Sequence, residues 1–330
     1  MARNRVQFQK GLSEAEFDAL YGSEDKCRAA IVAWRWPNGF VCPHCGSRRY
    51  SHIATRDKFQ CSACRKQTSP IAGTVFAATK ATLTKWFRAM YHLTQSKHGI
   101  SSIELGRRLG VTQTTAWKMK TKLAEVMRRS SDKDRLQGRI EMDDAYLGGE
   151  RSGGKTGRGT PGKTPIVAAV ETTDDGKPKR LKIRRIARFK RKRMKSLTKR
   201  MIAAGSTVVT DGLACFRGVA DAGSDHTVIV TGTGRRAARH PAFKWVNTIL
   251  SNIKCSIVGT YRAVRRKHIV RTLAEFEWRF NHRTHLAAMI SVLGSAAVDT
   301  KPVTYNDLKW ADYQKDRNNV GPSPRLRYRL

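Results

Sequence analysis

Two sets of residues in this chain of 330 have the types and spacing for chemistry. The first is Cys42-Pro-His-Cys45, followed fifteen residues later by Cys61-Ser-Ala-Cys64. Each CxxC turn presents two sulfurs to one ion, and tetrahedral zinc takes four thiolates. The spacing predicts a structural zinc ribbon with Cys42, Cys45, Cys61 and Cys64 as ligands, and His44 is not needed. Between the knuckles, Tyr50, His52, Ile53 and Phe59 suffice for a small hairpin. A lobe this small has little core, so the metal holds it folded.

The second set is Asp143, Asp211 and Asn247. Asp143 and Asp144 interrupt the alternating run Arg139–Leu147, which reads as a short strand. Aspartate is depleted in strands and an unpaired buried charge is costly. The pair is therefore either solvated at a strand end or holds something positive. Asp211 ends a second strand pattern, Thr207-Val-Val-Thr-Asp211; it is either a metal ligand or the N-cap of a following helix. If the two strands are neighbours, the carboxylates converge. Magnesium or manganese takes such oxygen ligands, and two ions serve phosphodiester chemistry. Asn247 lies on a long helix opened by Pro241 and offers a neutral carbonyl oxygen; the alternative is a surface polar residue. Lys254 lies two turns along the same face and could hold a phosphate.

Those residues need elements to position them. Gly11–Trp36 reads as helical, with Ser13 and Glu16 as a capping box. Residues 83–124 are largely helical. A Gly110 stop, a short turn at Val111-Thr-Gln113 and a helix from Thr114 to Arg129 have the shape of a helix-turn-helix. Thr114, Thr115, Lys118, Lys120 and Lys122 would dress its second helix with DNA-facing groups. From residue 139 the order is three strands, helix, strand, helix, strand and helix, the second helix being Gly212–Ala222.

Lys and Arg number 64 against 26 Asp and Glu, a net charge of +38 that calls for a polyanionic partner, nucleic acid before a membrane surface. No apolar run is long enough to span a membrane, and no signal-peptide core is present. Seven cysteines, four in CxxC pairs, indicate metal use in a reducing cytosol. Two G-x4-G-K-T matches fall within Gly149–Thr164, but neither runs into a helix, so nucleoside-triphosphate binding is rejected in favour of a basic loop. The tail 301–330, basic at its end, reads as extended DNA-contacting chain.

Arg35-Trp-Pro-Asn-Gly-Phe-Val-Cys-Pro-His-Cys-Gly46, Ala72-Gly-Thr-Val-Phe76, Asp143-Asp-Ala-Tyr-Leu-Gly-Gly149, Val209-Thr-Asp-Gly212, Val246-Asn-Thr and Glu275-Phe-Glu-Trp-Arg-Phe-Asn-His-Arg283 resemble blocks of bacterial insertion-sequence transposases with an N-terminal zinc ribbon. The resemblance implies a multidomain α+β chain: an N-terminal helical segment (1–37), zinc ribbon (38–76), helix-turn-helix (77–132), RNase H-like mixed-sheet catalytic domain of the DDE type (138–284), and C-terminal helix with basic tail (285–330). It places the two acids on Asp143 and Asp211, the Asn on Asn247 and the Lys on Lys254. It implies Mg2+ or Mn2+ catalysis on transposon ends and target DNA, by a homodimer or larger assembly in the nucleoid of a bacterial cytoplasm. Many members carry Glu three residues after the Asn, where this chain has Leu250, so Asn itself is the expected third residue. A rival reading is a zinc-dependent DNA-binding protein, or a decayed transposase that binds without cutting. Glu275 is expected to pair with Arg271 or Arg279.

Overall fold

The computed structural model describes residues 10–148, 163–232, 240–309 and 325–327. They fall into two compact units, one of residues 10–130 with 282–309, the other of the remainder. The basic loop with its two phosphate-loop matches, at 149–162, lies outside the described residues, as does most of the tail.

In the first unit, α1 (Glu14–Tyr21) and α2 (Glu24–Arg35) replace the single helix expected there, with a break at Gly22-Ser23. Ser23 caps α2 by accepting from the Lys26 amide, so the sequence contained a second start signal. The capping box of Ser13 and Glu16 is formed. A three-stranded hairpin sheet follows: β1 (Tyr50–Ile53), β2 (Lys58–Cys61) and β3 (Gln67–Thr68). Then come α3 (Leu83–Gln95), α4 (Ser102–Leu109) and α5 (Gln113–Ser131). The α3 helix has no cap from its own Thr82; the Glu24 carboxylate accepts from the amides of Leu83 and Thr84 at 2.8 and 3.1 Å instead.

The second unit is built on a five-stranded sheet: β4 (Arg139–Leu147), β5 (Thr164–Thr172), β6 (Pro178–Arg185), β7 (Thr207–Thr210) and β8 (Asp225–Val228). The order is β6-β5-β4-β7-β8, with β5 antiparallel to both neighbours and β4, β7 and β8 parallel. That order and those directions are the RNase H-like arrangement implied by the resemblance. Every residue of β5 is buried, as befits an interior strand covered on both faces.

Helices cover the two faces. On one, α7 (Lys244–Tyr261) and α8 (Ile269–Asn281) pack on Ala145, Ile166, Ala168, Val170 and Val209. On the other, α6 (Arg191–Met201) and the turns at 214–222 pack on Ile140, Met142, Val167, Ala169 and Val208. Those turns are 3-10 segments, Ala214–Gly218 and Ala220–Ala222, rather than the helix expected. A Cβ on Gly218 would overlap the Arg191 carbonyl, so glycine permits the close approach of this turn to α6.

The β6 edge is sealed by side chains of α8. Glu277 accepts from the Ile183 amide at 2.7 Å, and Asn281 accepts from the Leu181 amide at 2.7 Å while donating back to its carbonyl at 3.0 Å. A row of edge groups that could recruit a foreign strand is thereby occupied. No described helix is long and apolar enough to cross a membrane.

Candidate catalytic and metal sites

The parallel register pairs Glu141 with Val209. Two residues further along both strands are Asp143 and Asp211, so the sheet alone sets them side by side. Asp211 stands one residue beyond the end of β7. Asp143, Asp144 and Asp211 each bring a carboxylate oxygen within 4.8 Å of the others, and all three are half-buried. Alternation sends Asp143 to the α7 face and Asp144 to the α6 face. Asp144, outside the set of Asp143, Asp211 and Asn247 singled out in the sequence, belongs to the cluster. Its amide donates to Asp143 Oδ1 at 2.7 Å. The Leu213 amide donates to Asp211 Oδ1 at 3.1 Å, so Asp211 also closes the turn that follows it.

Three carboxylates this close repel one another, and a shared cation would relieve that repulsion. Oxygen-only donors from two adjacent strands suit a hard divalent ion.

One functional carboxylate was missed in the sequence. Glu141 is 2% exposed, and its Oε2 accepts from the amides of Trp245 and Val246 at 2.8 and 3.0 Å. The 3-10 turn Pro241–Phe243 that leads into α7 gives that helix no side-chain cap of its own, and Glu141 supplies it from the strand. The signal was present: Glu141 shares the face of Asp143 by alternation, and a buried strand glutamate needs donors. The bond ties the strand of Asp143 to the first turn of the helix that carries Asn247.

On α7, Asn247 is half-buried and Lys254 exposed. Val246, Ile249, Leu250 and Ile253 form its core side, as the sequence predicts. Leu250 is 6% exposed within that core, so the position at which the resemblance implies Glu in many members is an apolar packing site here.

In the ribbon, the ligand atoms of Cys42, Cys45, Cys61 and Cys64 lie within 4.8 Å of one another. Sulfur pairs Cys42–Cys64 and Cys45–Cys61 are each 3.6 Å apart. A tetrahedron of thiolates about 2.3 Å from zinc has edges of about 3.8 Å, so the four fit the ion. Backbone N–H groups, chiefly that of His44 at Cys42 and that of Cys64 at Cys61, hold both thiols below their usual range. That favours at these two positions the thiolate a metal requires, while the neighbouring sulfurs outweigh the Ser47 N–H and push Cys45 up to about 12. Beneath the knuckles, Trp36 packs edge-on against Phe40 and Phe59.

Residues 135–281 match the family model of the ISXO2-like transposase domain, and residues 22–67 match that of the transposase zinc-ribbon domain. The chain thus carries a transposase zinc ribbon and an ISXO2-like transposase domain. It is similar to an uncharacterized protein in transposable element ISH50 of Halobacterium salinarum, with 26% identity over 128 residues. That match covers 38% of this chain and 42% of the relative, so it spans under half the relative's length. Among solved structures, the Mos1 strand transfer complex is similar at 11% identity and TM-score 0.25, over 66% of this chain and 79% of that one. A pre-cleavage Mos1 transpososome is similar at 10% identity and TM-score 0.23, over 66% and 80%. Superpositions this loose leave the strand order as the ground for the fold.

After the zinc ribbon and α3, a short turn joins α4 to α5. Gly110 takes a left-handed conformation at the end of α4, with φ of 60°. On α5, Thr114 and Lys118 are exposed, and Lys118 lies over the Tyr305 ring at 5.0 Å. The Thr115 amide donates to the Thr112 hydroxyl at 3.3 Å, and Thr115 is half-buried at the helix start. Lys120 is not DNA-facing as expected: it is 8% exposed, and its ammonium donates to the Ile100 carbonyl. Lys122 is half-buried, with its ammonium 3.4 Å from the Val75 carbonyl and 5.9 Å from the Trp86 ring centre. Burial lowers its pKa. Its charge is directed into the helical unit.

Glu275 and Glu277 lie apart from the acidic cluster in their bonding. Glu275 faces Arg279 at 3.8 Å and accepts from the Tyr261 hydroxyl at 3.3 Å. Glu277 pairs with Arg184 at 2.6 Å while sealing the sheet edge.

Proposed function

We propose that the chain is a DNA transposase that binds the ends of its element, cleaves a strand there and joins the freed 3′-OH to target DNA. The observation that carries this reading is the convergence of Asp143, Asp144 and Asp211 on one spot of an RNase H-like sheet in a strongly basic chain. Asp143, Asp211 and Asn247 would hold Mg2+ or Mn2+. When bound, such ions activate the attacking oxygen and stabilise the leaving one. Asp143 and Asp211 keep their oxygens fixed through the strand register, and Glu141 fixes the helix of Asn247. Lys254, exposed on that helix, serves as a phosphate holder. The four cysteines hold structural Zn2+, and Thr114, Thr115 and Lys118 approach the element end. Lys122 supports α5 from within. Two ends must be brought together, which calls for a dimer or larger assembly.

The test is strand cleavage of element-end DNA with Mg2+ by the parent, Asp143→Asn and Asp211→Asn. Loss of a metal ligand removes several kcal/mol of transition-state stabilisation, so each variant should cleave at least about a hundredfold more slowly while still binding the DNA. Cleavage at the parental rate by both variants would sink the mechanism.

A second reading, DNA binding without cutting, is favoured by one observation. The position at which the resemblance implies Glu in many members is the buried Leu250. A parent that binds element ends but leaves them intact in Mg2+ and in Mn2+ would establish it.

A further inference from the structure

The face of α6 has no place in the chemistry above. Its sequence is Arg-Lys-Arg-Met-Lys-Ser-Leu-Thr-Lys-Arg-Met, preceded by Lys190. Met194, Leu197, Thr198 and Met201 are buried against the sheet, while Lys192, Arg193, Lys195, Lys199 and Arg200 are exposed. Arg191 is paired by two bonds of 2.6 Å to Asp221, whose carboxylate also feels the charge of Lys195. No acid lies in ion-pair range of the other five among the described residues.

This arrangement works against the helix itself. Cations at the first turn oppose the positive end of the helix dipole. Lys195 and Lys199 are four apart on one face and repel, and no acid stands in the first turn. The fold holds the helix in place regardless, through Met194, Leu197 and the close approach of Gly218. A helix held in this way presents Lys192, Lys195 and Lys199 about 4.5 and 6 Å apart along its axis, at about 1.5 Å of rise per residue, as a fixed row of cations for a polyanionic backbone. The surface also leads to the acidic cluster. Phe189, just before α6, packs edge-on against Tyr146 at 5.5 Å, two residues from Asp144 on the same strand face.

We propose that the exposed face of α6 is a docking surface for the backbone of duplex DNA, separate from the helix-turn-helix and read without regard to sequence. This rests on the transposase reading only for its purpose, which is to hold target or flanking DNA across the sheet face of Asp144. The contact itself is independent of catalysis.

The experiment compares the full chain with a Lys192→Gln, Lys195→Gln, Lys199→Gln variant. Binding of a duplex of unrelated sequence is measured without divalent ions over a range of salt. Each lost phosphate contact should make the slope of log affinity against log salt shallower by about 0.9, or by up to about 3 in total, with affinity at physiological salt at least about tenfold weaker. A Lys→Arg version of the same triple variant should keep the parental slope. The unfolding temperature of the Gln variant should hold or rise, since repulsion is relieved. Unchanged slope and affinity overturn the proposal, whatever the stability. So does a lost association with anionic phospholipid vesicles alongside unchanged DNA binding. Failure of the Asp variants to affect cleavage would overturn the catalytic reading and leave this result standing.

Discussion

Glu141 on β4 accepts a 2.8 Å hydrogen bond from the amide of Trp245 at the start of α7. One carboxylate thus joins the strand bearing Asp143 to the helix bearing Asn247. Glu141→Ala leaves two helix amides without their acceptor and should cost roughly 2 to 4 kcal/mol in urea unfolding. Glu141→Gln keeps an acceptor oxygen and should cost less. Cleavage should fall further with Ala than with Gln, with DNA affinity held. Equal stability of parent and Ala variant would show that the cap does not matter.

Leu250 decides how the third residue is tested. Replacing it with Glu removes buried apolar surface and places a carboxylate in the core, at an expected cost of at least about 3 kcal/mol. The variant should unfold earlier and gain no cleavage. Asn247→Ala is the cleaner probe: its half-buried side chain should cost little stability, while cleavage in Mg2+ drops. A Leu250→Glu variant that is as stable as the parent and cuts faster would reverse this view.

Zinc removal should unfold the ribbon alone. Chelation frees four thiols, and a thiol reagent should then titrate Cys42, Cys45, Cys61 and Cys64 in addition to the exposed Cys255. Trp36 emission should shift to longer wavelength as its packing on Phe40 and Phe59 loosens. The far-ultraviolet signal of the RNase H-like sheet and its helices should persist. Four cysteines equally reactive before and after chelation would exclude the zinc ribbon as a metal site.

His268 sets an acid limit on the second unit. Burial first, then the charges of Lys267, Arg271 and Arg265, push its imidazole down to about 4. An unfolded histidine titrates at about 6.5. The folded pKa is depressed, so the stability His268 contributes is complete above the unfolded value and is lost as pH falls toward the folded one. Glu277 has the opposite sign. Burial raises its carboxyl against the pull of Arg184 and Lys182. Its contribution is full below the unfolded value of about 4.3 and declines as pH rises through the raised one. His268→Gln should therefore flatten the loss of unfolding temperature between neutral and mildly acidic pH. An unchanged acid limb would assign that loss to other groups.

Much of the site was legible because its signals are local. Two CxxC knuckles need no tertiary context, since each presents its sulfurs within one turn. The strand of Asp143 was readable from alternation, and the core side of α7 from helical spacing. What escaped were partners supplied from afar. Glu24 caps α3 and Glu141 caps α7 across long stretches of chain, and neither spacing hints at it. Lys120 and Lys122 looked like outward cations because charge usually means exposure; their carbonyl partners at Ile100 and Val75 belong to other segments.

The sequence by itself determined the ligand types, the strand of Asp143 and the run of cations on α6, because these depend on residue identity and short-range periodicity. Only the tertiary structure decided that β4 and β7 are parallel neighbours, and so that Asp143 meets Asp211 with Asp144 beside them. Strand order is set by how two hydrophobic faces are covered at once, and no single segment contains that information. The same packing turned Leu250 into core and made Glu277 and Asn281 the seal of a sheet edge.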